Sequence, residues 1–395
     1  MIKVIKKDGS MVEFDGNKIK VAIRKSAERS MISLTEEQEN KVVDLVYEDL
    51  IRMDMIEGHR VSVIHNLVEK ALRQVDKDVA ESYASYRNYK NDFVGMLDQV
   101  YKKAQSVLYV GDKENSNADS SLVSTKRSLI TGELTKELYQ RFFLTEAEKQ
   151  ACKDGFIYVH DMRDRMYTLN CCLADVSTIM AGGFEMGNIW YNEPKTVDTA
   201  CDVLGDVIMS MASQQYGGYT VAEVDTVLAP YCEKSYNKYY QEYLDIATSN
   251  NVKLIDKTKA DEYATKKVYR ELEQGIQGLE IKLNTVASSR GDYPFTTFSF
   301  GIDKSKFGQM VSEVILKVRG DGQGKEGFKK SVLFPKLVFI YSDELHGKGK
   351  ELEHLFDKAI KCSSKAMYPD YLSVDNGYTG EMYKKYGKVV SPMGA

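Results

Sequence analysis

The chain has 395 residues, with 54 Lys and Arg against 58 Asp and Glu, a formal net charge of −4 and 43% hydrophobic residues. That length exceeds one ordinary core and predicts two or three domains, while the charge balance excludes a globally basic surface of the kind that binds nucleic acid. No apolar run approaches the roughly 18 residues of a membrane span, and the start "MIKVIKKDGS" lacks the apolar stretch of a secretory signal, so a cytoplasmic protein is expected.

In chain order, "KVIKKDGSMVEF" alternates like a hairpin with Asp8-Gly9 at its turn, and apolar residues at helical spacing follow from Ile19 to about Tyr89. This predicts a β-hairpin-plus-helices module over 1–93. Lys6 and Lys7 sit at the turn, where point charges and a glycine suit a phosphate, and His65 lies on a helix, where an imidazole can meet a base. By composition alone, an exposed Lys-Lys-Asp-Gly hairpin and a structural histidine are the simpler reading. A polar stretch, "YVGDKENSNADSS", then suits a connection, which places a linker at 94–122 and a second domain at 123–395.

Within the second domain "GFIYVHD", "LNCCLADV", "YPFTTFSFG" and "PKLVFIYS" read as strands, and 196–217, 225–247 and 258–280 as helices. Alternation of this kind predicts a largely parallel α/β sheet or barrel with its site at strand ends and loops. Cys171 and Cys172 are adjacent on a predicted strand and point to opposite faces, so one can line a site while the other packs. The commoner fate of such cysteines is simple burial. The six cysteines form no CxxC and no zinc-ligand spacing, so no metal site is expected. The glycines of "QQYGGYT" let backbones approach closely at a helix end.

The order Val4-Ile5-Lys6-Lys7-Asp8-Gly9, Phe14, Lys18-Ile19, Ala22-Ile23, Val63-Ile64-His65 and Tyr86-Arg87 resembles the ATP-cone, the regulatory nucleotide-binding module of ribonucleotide reductases. The resemblance implies that Lys6 and Lys7 contact phosphates, that His65 lies at the bound nucleotide, and that ATP and dATP are allosteric effectors. "YVHDMRDRMYTLNCCL", "GGFEMGNIWYNEPKT", "QQYGGYTVAEVDTVLAPY", "NTVASSRGDYPFTTFSFG", "VLFPKLVFIY", "SSKAMYPDYLS" and "VVSPMG" together resemble the anaerobic, class III ribonucleoside-triphosphate reductases over essentially the whole chain. The implied fold is an ATP-cone followed by an incomplete ten-stranded α/β barrel of the glycyl-radical enzyme type. The implied chemistry is reduction of ribonucleoside triphosphates by glycyl and thiyl radicals, with a radical-SAM activase as partner and a homodimer as the intact assembly.

By the same resemblance, Cys171 is the barrel cysteine that donates a hydrogen atom to the substrate radical, Asn170 precedes it, and Cys172 faces away. Met393 stands where aerobic relatives place a second reducing cysteine, which implies formate as reductant; from composition it reads as a packing residue. Lys195 and Glu193 fall at the dimer-face site where a deoxynucleotide selects the substrate, with a solvated surface lysine as the plain alternative for Lys195. His160 reads as a hydrogen-bonding support. The family's finger motif is Pro-Met-Gly-Cys, whereas this chain has Pro392-Met393-Gly394-Ala395. Alanine at the radical cysteine position predicts a chain inactive alone and completed by a complementary C-terminal chain, in which the glycyl-radical loop and a zinc site are expected. The alternative expectation is a nucleotide-binding remnant or regulator without catalysis.

Overall fold

The computed structural model describes residues 2–6, 8–53, 58–109, 121–166, 169–250, 256–289 and 291–393. The chain divides into two units, residues 1–102 and 103–395. No helix among the described residues is long and apolar enough to cross a membrane.

In the first unit β1 (Lys3–Ile5) and β2 (Met11–Glu13) form the antiparallel hairpin, with Lys3 opposite Glu13 and Ile5 opposite Met11. The turn closes through Lys6 N–H to Ser10 O at 2.9 Å, and Gly9 supplies the left-handed residue at φ 81°. Three helices follow: α1 (Gly16–Arg29), α2 (Glu36–Arg52) and, after the short β3 (His59–Arg60), α3 (Val61–Val75). Asp15 caps α1, and Thr35 with Gln38 makes a reciprocal capping box on α2. Ile19, Ile23 and Ala27 of α1, and Val42, Val46 and Leu50 of α2, recur every four residues and bury one stripe of each helix against Val68, Ala71 and Leu72 of α3. Val79, Ala80 and Tyr83 of α4 (Lys77–Tyr109) close this core. Of the linker expected at 94–122, residues 94–109 belong to α4 and 110–120 lie outside the described residues.

The second unit begins with α5 (Val123–Phe143) and α6 (Glu146–Lys153), and the strand expected at Gly155–Asp161 does not form. Gly155 turns left-handed at φ 78° and Phe156 N–H bonds back to Ala151 O at 2.9 Å, so the segment spends its backbone groups ending α6; Phe156 and Tyr158 stay exposed. Next come β4 (Cys172–Ala174), α7 (Val176–Met180), the hairpin β5 (Phe184–Met186) and β6 (Ile189–Tyr191), α8 (Val197–Gln214), β7 (Tyr219–Val221), α9 (Val224–Ser249) and α10 (Lys257–Thr285). The chain continues through β8 (Thr296–Phe300), α11 (Lys306–Asp321), β9 (Lys336–Tyr341), α12 (Asp343–His346), α13 (Glu353–Ala366), β10 (Asp370–Ser373) and α14 (Gly377–Tyr386).

Among the described residues, five strands make one all-parallel sheet in the order β10-β9-β8-β7-β4, which follows chain order without reversal. One face packs on helices: Tyr219, Val221, Phe298, Phe300, Leu337 and Phe339 belong to the main core, joined at its margin by Cys172 and Ala174. The alternate residues, among them Leu173, Thr220, Thr297, Ser299, Lys336 and Ile340, therefore share the opposite face, called inner below. Asp225 braces the sheet to the helices: its buried Oδ2 accepts from Gly301 N–H at 2.8 Å, Asp303 N–H at 3.2 Å and Ser312 Oγ at 3.3 Å.

Candidate functional site

Cys171 stands just ahead of β4, half-buried, and its position is set by the loop that leaves α8. Tyr216 N–H donates to Leu169 O at 3.0 Å, Gly217 N–H to Asn170 O at 2.8 Å, and Cys172 N–H to Gly218 O at 3.2 Å. A Cβ on Gly217 would lie 2.4 Å from both Cys171 Sγ and Asn170 Oδ1, so only glycine permits this approach. The Cys171 thiol lies 3.2 Å from Asn170 Oδ1, in reach to donate to it. Cys172 faces the helices, where burial pushes its thiol pKa up.

The segment after α14 crosses the inner face to reach this place. Val389 packs with Ile340 and Val374, Thr220 Oγ1 donates to Pro392 O at 2.9 Å, and Met393 O would lie 3.1 Å from a Cβ on Gly218. Met393, Asn170 and Cys171 are thus brought to one end of β4 and β7. Glu223 anchors the crossing. It caps α9 in a left-handed conformation at φ 51°, which costs a non-glycine residue about 1 kcal/mol, its N–H donates to Ser299 Oγ at 3.1 Å, and its Oε1 accepts from Val389 N–H at 3.0 Å. Ala395, expected at the radical position, lies outside the described residues, as does Gly394.

Glu193 and Lys195 sit elsewhere, on the strand exit of the β5–β6 hairpin. Glu193 is ion-paired to Lys234 and accepts from Gly182 N–H at 3.1 Å; hydrogen bonding by Lys234 holds its carboxyl below the usual range. Lys234 also donates to Pro194 O at 3.3 Å, and Ser235 Oγ receives Val197 N–H at 2.9 Å. The segment is therefore tied at both flanks to α9 while Lys195 between them is exposed. His160 is exposed in the loop after α6, its Nδ1 2.5 Å from Asp161 Oδ2.

In the first unit Ile5 of β1 pairs in parallel with Arg60, so Lys6 leaves its strand beside the first residue of α3. The N-terminus of α3 carries no side-chain cap, which leaves its N–H groups available to an anion next to an exposed lysine. His65, one turn further along α3, is 2.6 Å by Nδ1 from the hydroxyl of Tyr83, whose pKa burial pushes up to about 12. Lys7 lies outside the described residues. Reading from sequence missed Glu223, Asp225, Thr297 and Lys336, because nothing local distinguishes a bracing carboxylate or an inward strand residue; only the strand alternation of "TTFSF" hinted at a face.

The sequence model of the family described as anaerobic ribonucleoside-triphosphate reductase matches residues 114–395, and that of the ATP cone domain matches residues 2–92. The chain is 32% identical over 403 residues to the anaerobic ribonucleoside-triphosphate reductase of Escherichia coli, covering 99% of this chain and 53% of that protein. To the Salmonella typhimurium protein of the same name it is 31% identical over 402 residues, again covering 99% and 53%. The chain thus spans about half the length of the relatives it matches. Among solved structures, the anaerobic ribonucleotide reductase of Thermotoga maritima with dATP bound in the specificity site is similar over 74% of this chain and 51% of that one, at 14% identity and a TM-score of 0.47.

Proposed function

The chain belongs to the anaerobic ribonucleoside-triphosphate reductase family, and from that premise we propose that it carries the nucleotide-binding cone and the thiol half of a ribonucleotide-reducing site. The observation that carries the reading is the meeting of Cys171, Asn170 and the 389–393 segment on one end of a parallel sheet, within the region that the family model matches.

The sheet's sequential strand order suits part of a ten-stranded barrel, with the remaining strands supplied by the portion of the relatives that this chain does not span. In the assembled enzyme a glycyl radical formed by a radical-SAM activase supplies the oxidising equivalent. Cys171 would give its S–H hydrogen to a ribose carbon, a role supported by alternation, which turns it away from Cys172 and the helix-side core. Asn170 would hold that thiol in line through its amide oxygen. Met393 carries no oxidisable thiol to pair with Cys171, which favours formate as reductant: ribonucleoside triphosphate, formate and a proton become deoxynucleotide, carbon dioxide and water. Lys6, His65 and the open end of α3 would bind ATP or dATP in the cone, and Lys195 with Glu193 would flank a deoxynucleotide effector at a homodimer face. A cytoplasmic location goes with these partners.

The chain is tested by supplying the rest of a relative's length as a second polypeptide, activating anaerobically with S-adenosylmethionine and assaying CTP reduction with formate. Reduction is expected, and Cys171→Ser should abolish it, because an O–H bond is too strong to yield its hydrogen atom readily, while ATP binding by the cone persists. Turnover by the Cys171→Ser protein removes the assignment of the thiol. Absence of reduction together with retained ATP binding favours a regulator without catalysis.

A further inference from the structure

The inner face carries a cation and a hydroxyl that the proposed chemistry leaves unassigned. Register places Leu173, Thr220, Thr297 and Lys336 in one row across β4, β7, β8 and β9, and residues paired in parallel strands point to the same face. Their neighbours Phe298 and Leu337 lie in the helix-side core, which puts Thr297 and Lys336 on the side of the Pro392 contact. Lys336 packs against an aromatic ring just ahead of β8. Its Nζ is 4.3 Å from the centre of the Phe295 ring, and Phe295 Cδ1 would be 2.7 Å from a Cβ on Gly218, the residue whose carbonyl receives Cys172 N–H. One aromatic ring separates the ammonium from the strand beside Cys171.

Thr297 adds an independent sign. It is fully buried and its Oγ1 has no hydrogen-bond partner, a state that native interiors rarely leave unfilled. Burial also lowers the pKa of Lys336, with Asp370 opposing in part, so an anion placed beside the ammonium would act in the direction that restores its charge.

We propose that Lys336 and Thr297 form an oxyanion-holding subsite, in which the ammonium and the hydroxyl take an anionic oxygen of the molecule brought up to Cys171. The proposal rests on the reading of Cys171 as the site's thiol. Two sources share this chemistry: a phosphate oxygen of the nucleotide and the carboxylate of formate. From β4 to β9 the sheet spans about 14 Å, a distance that a ribonucleoside triphosphate bridges more readily than a one-carbon acid.

The test follows alkylation of Cys171 by iodoacetamide in the anaerobic 395-residue chain, read by peptide mass, with CTP, inorganic tripolyphosphate or sodium formate added against sodium chloride at equal ionic strength. Protection by CTP and tripolyphosphate identifies the phosphate source, and protection by formate alone identifies the carboxylate. In either case Lys336→Met should need at least a tenfold higher anion concentration for the same protection, Thr297→Val a smaller increase, and Lys336→Arg should retain it. Lys336→Gln gives the same reading should Lys336→Met fail to fold. Undiminished protection in a folded Lys336→Met or Lys336→Gln protein overturns the subsite, as does absence of protection by any of the three anions in the unaltered chain. The role of Cys171 itself stands or falls separately, on the reduction assay with Cys171→Ser.

Discussion

Asp225 shows how one residue can set a pH dependence for the whole second unit. Its carboxyl is buried, and desolvation raises its pKa from 3.8 to about 6 despite hydrogen bonds from Gly301 and Asp303 N–H. A raised carboxyl pKa means that the folded state holds the proton more tightly than the unfolded chain does. The contribution is therefore fully present below pH 4 and lost as pH rises through about 6, on the order of 3 kcal/mol in total. Asp225→Asn keeps an acceptor for the two amides without a titrating charge. Urea unfolding of the two proteins should show the unaltered chain losing stability relative to Asp225→Asn between pH 4 and 7, and a constant difference over that range would refute the assignment. Nothing in the stretch "VAEVDTVLAPY" distinguishes this aspartate, because its burial and its partners come from the end of β8 and from α11, far along the chain.

Among the elements, α10 and α11 are joined by a charge pair that sequence periodicity does not reveal. Arg319 is fully buried, its Nε 2.9 Å from Glu280 Oε1 and its Nη2 donating to Pro335 O at 2.6 Å, while Gln323 donates to Glu280 Oε2 at 2.9 Å. Both helices otherwise follow the apolar pattern of their sequences, and α10 runs from Lys257 to Thr285 where a helix over 258–280 is expected. Glu280→Gln leaves a buried guanidinium without its counter-charge, which typically costs 3–5 kcal/mol, on the order of half a domain's stability. Thermal unfolding of the Glu280→Gln chain should show a Tm lower by about 10 °C. A change within 2 °C would mean that the pair contributes little beyond the carbonyl contact of Arg319. Short strands escaped the sequence reading for a related reason: β7 has three residues and β10 four, too few for alternation to stand out beside the loops that flank them.

For the molecule as a whole, two units with separate cores predict that a ligand of the cone acts first on residues 1–102. At a hundred times its Kd, ATP should stabilise that unit by about 2.7 kcal/mol, so amides of α1–α3 that exchange only through its unfolding should slow about 100-fold. Lys6→Ala and His65→Ala should each reduce the slowing, and hydrogen exchange indifferent to ATP would overturn the cone assignment. The hairpin at Asp8-Gly9, the amphipathic helices, the α/β alternation and the pair Cys171-Cys172 were legible in the amino-acid sequence, because turn chemistry and the 3.6 and 2.0 periodicities are local properties. The tertiary structure alone decided that Cys171 lies against Gly217 and Met393 against Gly218, that Glu193 is engaged by Lys234, and that Thr297 and Lys336 share a row. Each of these depends on the pairing of segments distant in the chain, where register and close backbone approach, not local preference, determine which side chains meet.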